Sequence, residues 1–228
     1  MNQSVRRSGD RQGQSHVEYA LLICLMVMAS LLGLVALGLR TQDAFCSVLA
    51  PLGLEAWCAT FFNDTFENLA AWQIDQGNWR IENGQLCGGR GEGRIFREIP
   101  AGDYTITING ASLAQGPGYG VFFRSSGAPS VNGYTFQYDP GYGRGEFLFR
   151  KWVEGRELSP FGRAAAPDED WYAGGRTVRL VISGQTFTAY LDGQQVLQAS
   201  DESYGEGGIG LRTWGGTEVC FDGISVGP

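Results

Sequence analysis

Residues 177–198 read TVRLVISGQTFTAYLDGQQVLQ. Apolar and polar side chains alternate in Thr177–Ser183 and again in Thr186–Leu191, and this period of two is typical of β-strands with one buried face. Asp192-Gly193 follows directly. Because both residues tolerate positive φ, the pair predicts a two-residue hairpin turn that leads into a further strand, Gln195–Gln198. The segment therefore predicts consecutive antiparallel strands.

The same pattern extends over the carboxy-terminal three quarters of the chain. Asn83-Gly84 predicts a second hairpin turn, and most of the 35 glycines lie in residues 63–228. This region is long enough for one domain with a sizeable core. Many short strands with tight turns predict an all-β body, either a two-sheet β-sandwich or a closed barrel. The other candidate strands are Asn78–Ile81, Gln85–Gly88, Arg94–Ile99, Asp103–Asn109, Gly118–Arg124, Tyr134–Tyr138, Glu146–Trp152, Gly208–Arg212 and Glu218–Val226.

The amino-terminal region has a different character. Residues 13–39 read GQSHVEYALLICLMVMASLLGLVALGL, and Ala20–Leu39 carries no charge. As a helix that run would span about 30 Å, the thickness of a bilayer core. Arg6, Arg7 and Arg11 precede it and favour a cytoplasmic amino terminus. The sequence therefore predicts a single transmembrane α-helix that leaves residues 63–228 outside the membrane.

Gly13, followed by Glu18-Tyr19 at the start of the apolar run, resembles the amino-terminal region of Flp-type pilins, the type IVb pilins of Tad secretion systems. The resemblance covers about 40 residues. It implies cleavage by prepilin peptidase after Gly13, which makes Gln14 the first mature residue. It also implies that Glu18 pairs with the new amino group of Gln14, on its own or a neighbouring subunit, whereas stabilisation by the helix dipole is the alternative for Glu18. The predicted organisation is a leader (1–13), a pilin-type helix (14–50), a linker (51–62) and the β-sandwich (63–228).

The β-rich region carries a second resemblance. Several of its segments are similar to concanavalin A-like jelly-roll domains, in particular the laminin-G-like and 3-keto-glycoside hydrolase-like branches. This resemblance implies a curved sandwich whose concave face often binds carbohydrate. The segments that carry it are Phe66–Leu69, Trp79–Leu86, Gly120–Arg124, Gly133–Asp139, Leu191–Val196, Gly207–Leu211 and Val219–Val226.

Four of the five cysteines follow the apolar run, and Cys24 lies inside it. Cysteines of this kind suit an exported domain in an oxidising compartment, and four cysteines allow three pairings. Cys46 and Cys58 flank the linker and can clip the end of the helix to the sandwich. The jelly-roll resemblance implies that Cys87, on an early strand, pairs with Cys220 on the last strand. Unpaired, buried cysteines remain the alternative.

Catalytic signals are weak. The one histidine, His16, lies before the sandwich, which excludes histidine-dependent nucleophilic triads and histidine-metal sites within 63–228. Glycoside hydrolysis needs two carboxylates, but Glu146–Arg150 holds one acid where the family 16 glycosidase signature has three. Asp168–Asp170 is typical of a solvated loop. We therefore predict no enzyme activity and no cofactor, with glycoside hydrolysis and calcium binding by acidic loops as the alternatives.

Binding is better supported than catalysis. Aromatic rings stack on sugars while neighbouring polar groups orient the hydroxyls, and Tyr134, Phe136 and Tyr138 share one face of a predicted strand. Aromatic residues at alternate strand positions are also typical of a core, so both interpretations stay open. The predicted carbohydrate-binding residues are Arg124, Tyr134, Tyr138, Asp139, Tyr142, Trp152 and Trp214.

The net charge of −7 argues against a nucleic-acid partner. Together these features predict a pilin or pilin-like subunit that displays a carbohydrate-binding-like sandwich at the cell surface, for adhesion. The predicted partners are prepilin peptidase, other pilin subunits, a polysaccharide or glycan, and the cytoplasmic membrane before assembly. The alternatives are a membrane-tethered glycoside-processing enzyme and a minor pilin whose sandwich is purely structural.

Overall fold

The computed structural model describes residues 61–99 and 101–228, and before them only Tyr19 and Met26, which have helical backbone and exposed side chains. Gly13, Gln14, Glu18, Cys46 and Cys58 lie outside the described residues, as does the predicted membrane helix apart from Met26. Within the described part of the chain, no helix is both long and apolar enough to span a bilayer. The chain divides into two compact units, Met1–Cys58 and Ala59–Pro228, and the second contains every strand described below.

This second unit is built from sixteen strands in two antiparallel sheets. The first sheet has the order β13-β12-β11-β6-β15-β4-β3, with β16 also paired to β6, and β1 paired to β16. The second has the order β10-β9-β8-β7-β14-β5-β2. The strands are β1 (Phe62–Asp64), β2 (Gln73–Gln76), β3 (Arg80–Glu82), β4 (Gln85–Gly89), β5 (Gly93–Arg97), β6 (Tyr104–Gln115), β7 (Tyr119–Ser125), β8 (Gly133–Asp139), β9 (Glu146–Val153), β10 (Arg156–Ala165), β11 (Arg176–Ser183), β12 (Thr186–Leu191), β13 (Gln194–Ser200), β14 (Gly208–Thr213), β15 (Glu218–Phe221) and β16 (Gly223–Gly227).

The core lies between the two sheets. Phe187 of the first sheet meets Phe123 of the second with ring centroids 4.9 Å apart, and Tyr134 stacks on Phe123 at 5.3 Å. These side chains are at most 1% exposed. Each is one of a set of inward-facing residues at alternate strand positions, as the period of two requires. The predicted sandwich is therefore confirmed, and the barrel alternative is wrong because two separate sheets face each other.

Both predicted hairpin turns are confirmed. Asn83-Gly84 joins β3 to β4 and Asp192-Gly193 joins β12 to β13, and all four residues have positive φ. The predicted bounds of β12 match the structure, but the last predicted strand, Glu218–Val226, divides into β15 and β16. The reason is that β15 pairs with the second half of β6 and β16 with the first.

Sequence periodicity missed the edge strands β1, β2 and β10. Strand β10 contains Pro160 and has two register shifts against β9. Proline lacks a donor and is confined to edges and bulges, so a strand of this type breaks the alternation on which the prediction depends. β1 and β2 are three and four residues long, which is too short for a periodic signal.

Cys87 and Cys220 form a disulfide, as the jelly-roll resemblance implied. The two residues lie directly opposite each other in the pairing of β4 with β15, with Cα atoms 4.1 Å apart. They are 133 residues apart in sequence. The bridge therefore ties an early strand to the carboxy-terminal end of the domain.

Candidate functional site

The outer face of the second sheet carries a polar cavity. Strand β8 turns Tyr134, Phe136 and Tyr138 into the core, so Gln137 and Asp139 lie on the opposite face. There they border a cavity of about 230 Å³. Its lining comes from four strands and three loops: Pro117, Gln137, Asp139, Gly141, Tyr142, Arg150, Glu157, Arg212 and Trp214.

The turn after β8 fixes one wall of the cavity. The amide of Tyr142 donates to the carbonyl oxygen of Asp139 at 3.3 Å, and the amide of Gly141 donates to that of Pro117 at 3.1 Å. A Cβ at Gly141 would lie 2.6 Å from the Cβ of Pro117. Glycine therefore allows this turn to pack against Pro117, which holds Asp139 and Tyr142 at the same cavity.

Glu157 is the centre of the hydrogen-bond network. Its Oε1 accepts from the Gln137 amide and, at 2.7 Å, from Nη1 of Arg212. Arg150 donates from Nε to Oε1 of Gln137 at 2.8 Å and from Nη1 to the carbonyl oxygen of Leu158 at 3.1 Å. Two cations, an amide and a carboxylate are thus held in fixed orientations around one small space.

Arg212 is clamped between aromatic rings. Its guanidinium carbon lies 4.7 Å from the Trp152 ring centroid and 4.9 Å from that of Trp214, which is the range of cation–π contacts. Nε also donates to Glu92 at 2.8 Å. Arg212 directs its donors at Glu92 and Glu157 and packs against the ring of Trp214. It therefore holds Glu157 and Trp214 in position.

Tyr142 forms the opposite rim. Arg150 and Arg163 pack against its ring at 5.0 and 5.2 Å. Arg163 also binds Glu146 through two bonds of 2.8 and 2.7 Å, and this interaction lowers the pKa of the Glu146 carboxyl. Glu146, the one acid of the segment compared with family 16 glycosidases, is therefore committed to an ion pair.

Asp139 is the titratable group of the cavity with the clearest perturbation. Burial raises its pKa to about 6, and the negative charge of Glu157 adds to this effect. Arg150 and the amides of Gly141 and Tyr142 oppose it, because they stabilise the carboxylate. A carboxyl group with a pKa near neutrality in a cleft is a common property of functional sites.

The structure brings three predicted binding residues, Asp139, Tyr142 and Trp214, to one cavity. It corrects the prediction for Tyr134 and Tyr138, which are at most 1% exposed and have no free ring face. Their hydroxyls donate to Asp201 at 2.7 Å and to the Trp171 carbonyl oxygen at 2.9 Å. The two tyrosines share one face of β8, as the period of two predicts, and this face packs in the core.

Arg124 and Trp152 also need correction. Arg124 is 4% exposed and its guanidinium donates to the carbonyl oxygens of Gly102 and Tyr204 and to Asp103, so it ties loops together. Trp152 is 3% exposed and lies beneath Arg212, with Nε1 donating to Thr135 at 3.2 Å. Both residues support the fold and neither reaches the cavity surface.

Sequence reasoning missed Pro117 and Gly141 of the lining and also its four other polar side chains: Gln137, Arg150, Glu157 and Arg212. Gln137 carried a usable signal, because it lies two positions from Asp139 on a strand whose other face is aromatic. Glu157 carried none, since it belongs to the unpredicted strand β10. Arg150 and Arg212 lie on predicted strands, but nothing in the local sequence distinguishes them from the other arginines of the chain.

No group of three or more His, Cys, Asp or Glu residues that could hold a metal ion occurs within residues 61–99 and 101–228. Of the acidic loop, Asp168 and Asp170 are exposed, and Glu169 pairs with Arg176. The loop considered for calcium therefore has no assembled ligand set in the described structure.

The model of the 3-keto-alpha-glucoside-1,2-lyase-like domain matches residues 58–227. The chain belongs to this family. The match covers the whole sandwich, so the 3-keto-glycoside hydrolase-like resemblance of these residues is confirmed. No curated protein matches the chain.

Solved structures share the fold of this family member. The carbohydrate-binding module CBM66 from Bacillus subtilis has a TM-score of 0.58 and 23% identity, with 67% of this chain and 94% of the module covered. A Bacillus subtilis protein with a galectin-like fold has a TM-score of 0.57 and 16% identity, with 74% of this chain and 95% of that protein covered. A Bacillus licheniformis β-glucanase has a TM-score of 0.55 and 14% identity, with 75% of this chain and 99% of the glucanase covered. The jelly-roll architecture is thus shared with both binding modules and glycoside hydrolases.

Proposed function

We propose that the sandwich binds carbohydrate through the Asp139 cavity, the space lined by Asp139, Tyr142, Glu157, Arg212 and Trp214. The observation that carries the proposal is the combination, in one small cavity, of two carboxylates with two aromatic rims. Sugars present hydroxyls around an apolar ring face, and this arrangement complements both features. A carbohydrate-binding module and a β-glucanase with the same fold support the proposal.

The volume of the Asp139 cavity favours the binding of a small part of a glycan. A cavity of about 230 Å³ is below the ~300–1,000 Å³ of typical small-molecule sites, so one sugar residue is the natural occupant. In the bound state Asp139 and the free oxygen of Glu157 accept hydrogen bonds from sugar hydroxyls. Tyr142 and Trp214 contact the apolar faces of the ring. Arg212 positions Glu157 and Trp214 without contacting the sugar.

The first test is a glycan array with the full chain in a non-glycosidic detergent, followed by titration of the tightest glycan against Asp139→Asn. Charge-assisted hydrogen bonds contribute about 1.5–3 kcal/mol, so we expect affinity to fall roughly 10- to 100-fold. Because the carboxylate accepts the hydroxyl bonds and its pKa is about 6, wild-type affinity should be constant above pH 7. It should then fall as the pH drops to 5, by at most about tenfold per pH unit.

The matched control is Asp168→Asn, which removes an exposed acid outside the cavity and should change neither affinity nor its pH profile. Asp139→Asn should have a flat profile over the same range. Unchanged affinity in Asp139→Asn, or wild-type binding that strengthens toward pH 5, would exclude the carboxylate as a ligand.

A second candidate function is glycoside processing, and one observation favours it. Asp139, with a pKa of about 6, can hold a proton near neutral pH in the same cavity as a second carboxyl, that of Glu157. A carboxyl group that holds a proton near neutral pH beside a second carboxyl group is what acid–base cleavage at a sugar needs. Product formation from the bound glycan, abolished in Asp139→Asn, would favour the enzyme over the binding module.

We further propose that the chain is a pilin or pilin-like surface subunit in which the amino-terminal segment delivers the sandwich to the cell surface. Its support is the sequence around Gly13, Glu18 and Tyr19, placed before an uncharged run of membrane-spanning length. The predicted partners are prepilin peptidase and other pilin subunits. An adhesive role combines this delivery with the Asp139 cavity, whereas a purely structural minor pilin would lack glycan binding.

Mass spectrometry of the chain from sheared surface material tests this proposal. We expect a mature amino terminus at Gln14, and we expect Gly13→Val to remain at full length in the membrane fraction. Gly9→Val, which changes another leader glycine, is the control and should be processed normally. Cleavage of Gly13→Val at the original bond, or a wild-type chain that keeps residues 1–13 at the surface, would contradict the proposal.

A further inference from the structure

A second, larger cleft lies at the other end of the second sheet. Its volume is about 860 Å³. The cleft, called here the Trp72 cleft, is bounded by residues 70–73, 96–99, 125–128 and 206–208. We propose that it is a second glycan site, separate from the Asp139 cavity, and that it takes an uncharged or positively charged oligosaccharide.

The two sites are separated by a closed part of the sheet. The Asp139 cavity lies near Gly120 on β7, whereas the Trp72 cleft includes Ser125 at the end of the same strand. Five residues of strand span roughly 17 Å. Between them Phe122, Val131 and Trp152 form a separate buried cluster with Phe96 of the cleft, and each of the four is at most 4% exposed. A ligand in one site therefore does not extend along the sheet into the other.

One wall of the Trp72 cleft is a non-regular loop held by its own hydrogen bonds. The amide of Ser126 donates to the carbonyl oxygen of Asn132 at 2.9 Å, and the amide of Asn132 donates to Oγ of Ser126 at 3.0 Å. The amide of Gly127 donates to Oγ of Ser125 at 3.2 Å. These bonds close the loop across its base, so its shape is fixed before any ligand arrives.

The adjacent wall, residues 206–208, is joined to β7 by the pairing of Gly208 with Ser125 and is held by buried polar side chains. The Tyr104 hydroxyl donates to the carbonyl oxygen of Gly207 at 3.1 Å, and Nη1 of Arg124 donates to that of Tyr204 at 3.0 Å. A Cβ at Gly207 would lie 2.5 Å from the carbonyl carbon of Arg124, so this wall packs directly against β7. Two preformed walls lower the conformational entropy lost on binding.

The composition of the cleft sets the class of ligand. Its floor contains Trp72, Phe96 and Ile99, which are 4–7% exposed, and its walls present hydroxyls and backbone groups of serine and glycine. An apolar floor with many small neutral donors and acceptors complements the alternating apolar and hydroxyl surface of a sugar chain. The volume lies within the ~300–1,000 Å³ of small-molecule sites and has room for an oligosaccharide.

Charge refines this assignment. Glu98 and Glu206 are exposed at the cleft, and neither forms an ion pair with the residues that the structure describes. The β5–β14 register, in which Ile209 faces Arg97, brings both acids to the same end of the sheet. The Arg97 guanidinium donates to the carbonyl oxygen of Ala71 at 2.8 Å and lies 5.0 Å from the ring centroid of Phe62. Arg97 has no carboxylate partner among the described residues either, so the lining holds two acids and one arginine, and this excess of negative charge disfavours acidic sugars.

The experiment titrates the full chain, in a non-glycosidic detergent, with three trisaccharides: glucosamine (positive), N-acetylglucosamine (neutral) and galacturonate (negative). We expect the first to bind most tightly, the second more weakly and the third not at all. Glu98→Gln/Glu206→Gln should lower the affinity for the glucosamine trimer at least fivefold and the affinity for the neutral trimer less than twofold. Ala70→Trp, at an exposed position on the rim, should weaken both at least tenfold.

Two controls separate this site from the Asp139 cavity and from general charge effects. Asp168→Asn/Glu202→Gln removes two exposed acids elsewhere and should leave all three affinities unchanged, and Asp139→Asn should not abolish the binding that Ala70→Trp weakens. The proposal fails if neither the positive nor the neutral trimer binds, or if binding is lost in Asp139→Asn and kept in Ala70→Trp. Tighter binding of tetralysine than of any trimer, also blocked by Ala70→Trp, would overturn the ligand class in favour of a cationic peptide. Failure of glycan binding at the Asp139 cavity would leave these results unaffected.

Discussion

Replacing Cys87 and Cys220 together by alanine is expected to lower the free energy of unfolding of the sandwich by about 2–5 kcal/mol. The bridge closes a loop of 133 residues in sequence, and in the unfolded chain such a cross-link removes a large part of the conformational freedom. It also joins two paired strands, so its loss removes the covalent link between β4 and β15. Urea unfolding followed by tryptophan fluorescence measures the effect.

A reducing agent provides the control for the disulfide prediction. It should destabilise the wild-type chain by about the same amount and should leave the double variant unchanged. Equal midpoints for the wild type and the variant under oxidising conditions would show that the bridge does not contribute to stability.

Replacing Arg212 by alanine is the second change with a large expected effect. Arg212 is 8% exposed and binds Glu92 and Glu157 while it packs between Trp152 and Trp214. Breaking a fully buried ion pair costs ~3–5 kcal/mol. Here the side chains of Glu92 and Glu157 keep 33% and 24% of their exposure, so we expect a smaller loss of roughly 2–4 kcal/mol.

The same variant should also lose glycan binding at the Asp139 cavity, because Glu157 and Trp214 lose their support. Thermal and urea unfolding measure the stability, and titration with the array-selected glycan measures the affinity. Arg80→Ala is the matched control: it breaks an ion pair with Glu82 in which both side chains are exposed, and such pairs contribute ~1 kcal/mol or less. A loss in Arg212→Ala no larger than that in Arg80→Ala would contradict the role assigned to Arg212.

Adding Glu157→Gln to Arg212→Ala sharpens the assignment. If the loss of stability comes from carboxylates left without a counter-charge, the double variant should recover part of it, since the amide carries no charge. Recovery of stability without recovery of glycan binding would place Glu157 among the groups that contact the sugar.

Local sequence predicted much of the fold. The bounds of β12 and the turn at Asp192-Gly193 follow from period-two alternation and from the tolerance of positive φ, and both properties depend on neighbouring residues only. β10 could not be predicted in this way, because Pro160 and two register shifts interrupt its alternation. Its place at the edge of the sheet comes from pairing with β9.

The candidate site was only partly predictable. The sequence predicts Tyr142 and Trp214 as aromatic contacts for a sugar and Asp139 as a polar partner, and the structure brings the three residues together. Tyr134 and Tyr138 were assigned to the wrong face. A strand pattern shows that two sets of side chains point in opposite directions, but it does not show which set is covered by the other sheet.

By itself, the sequence determined most of the β-strands and both hairpin turns, because these depend on interactions between residues close in the chain. It also determined an uncharged, membrane-length run before the sandwich, from composition alone. Only the tertiary structure decided that β8 turns its tyrosines inward, and that Gln137, Arg150, Glu157 and Arg212 from four strands meet at one cavity. The physical reason is that pairing between distant strands and packing between two sheets depend on contacts across more than a hundred residues, which no local pattern encodes.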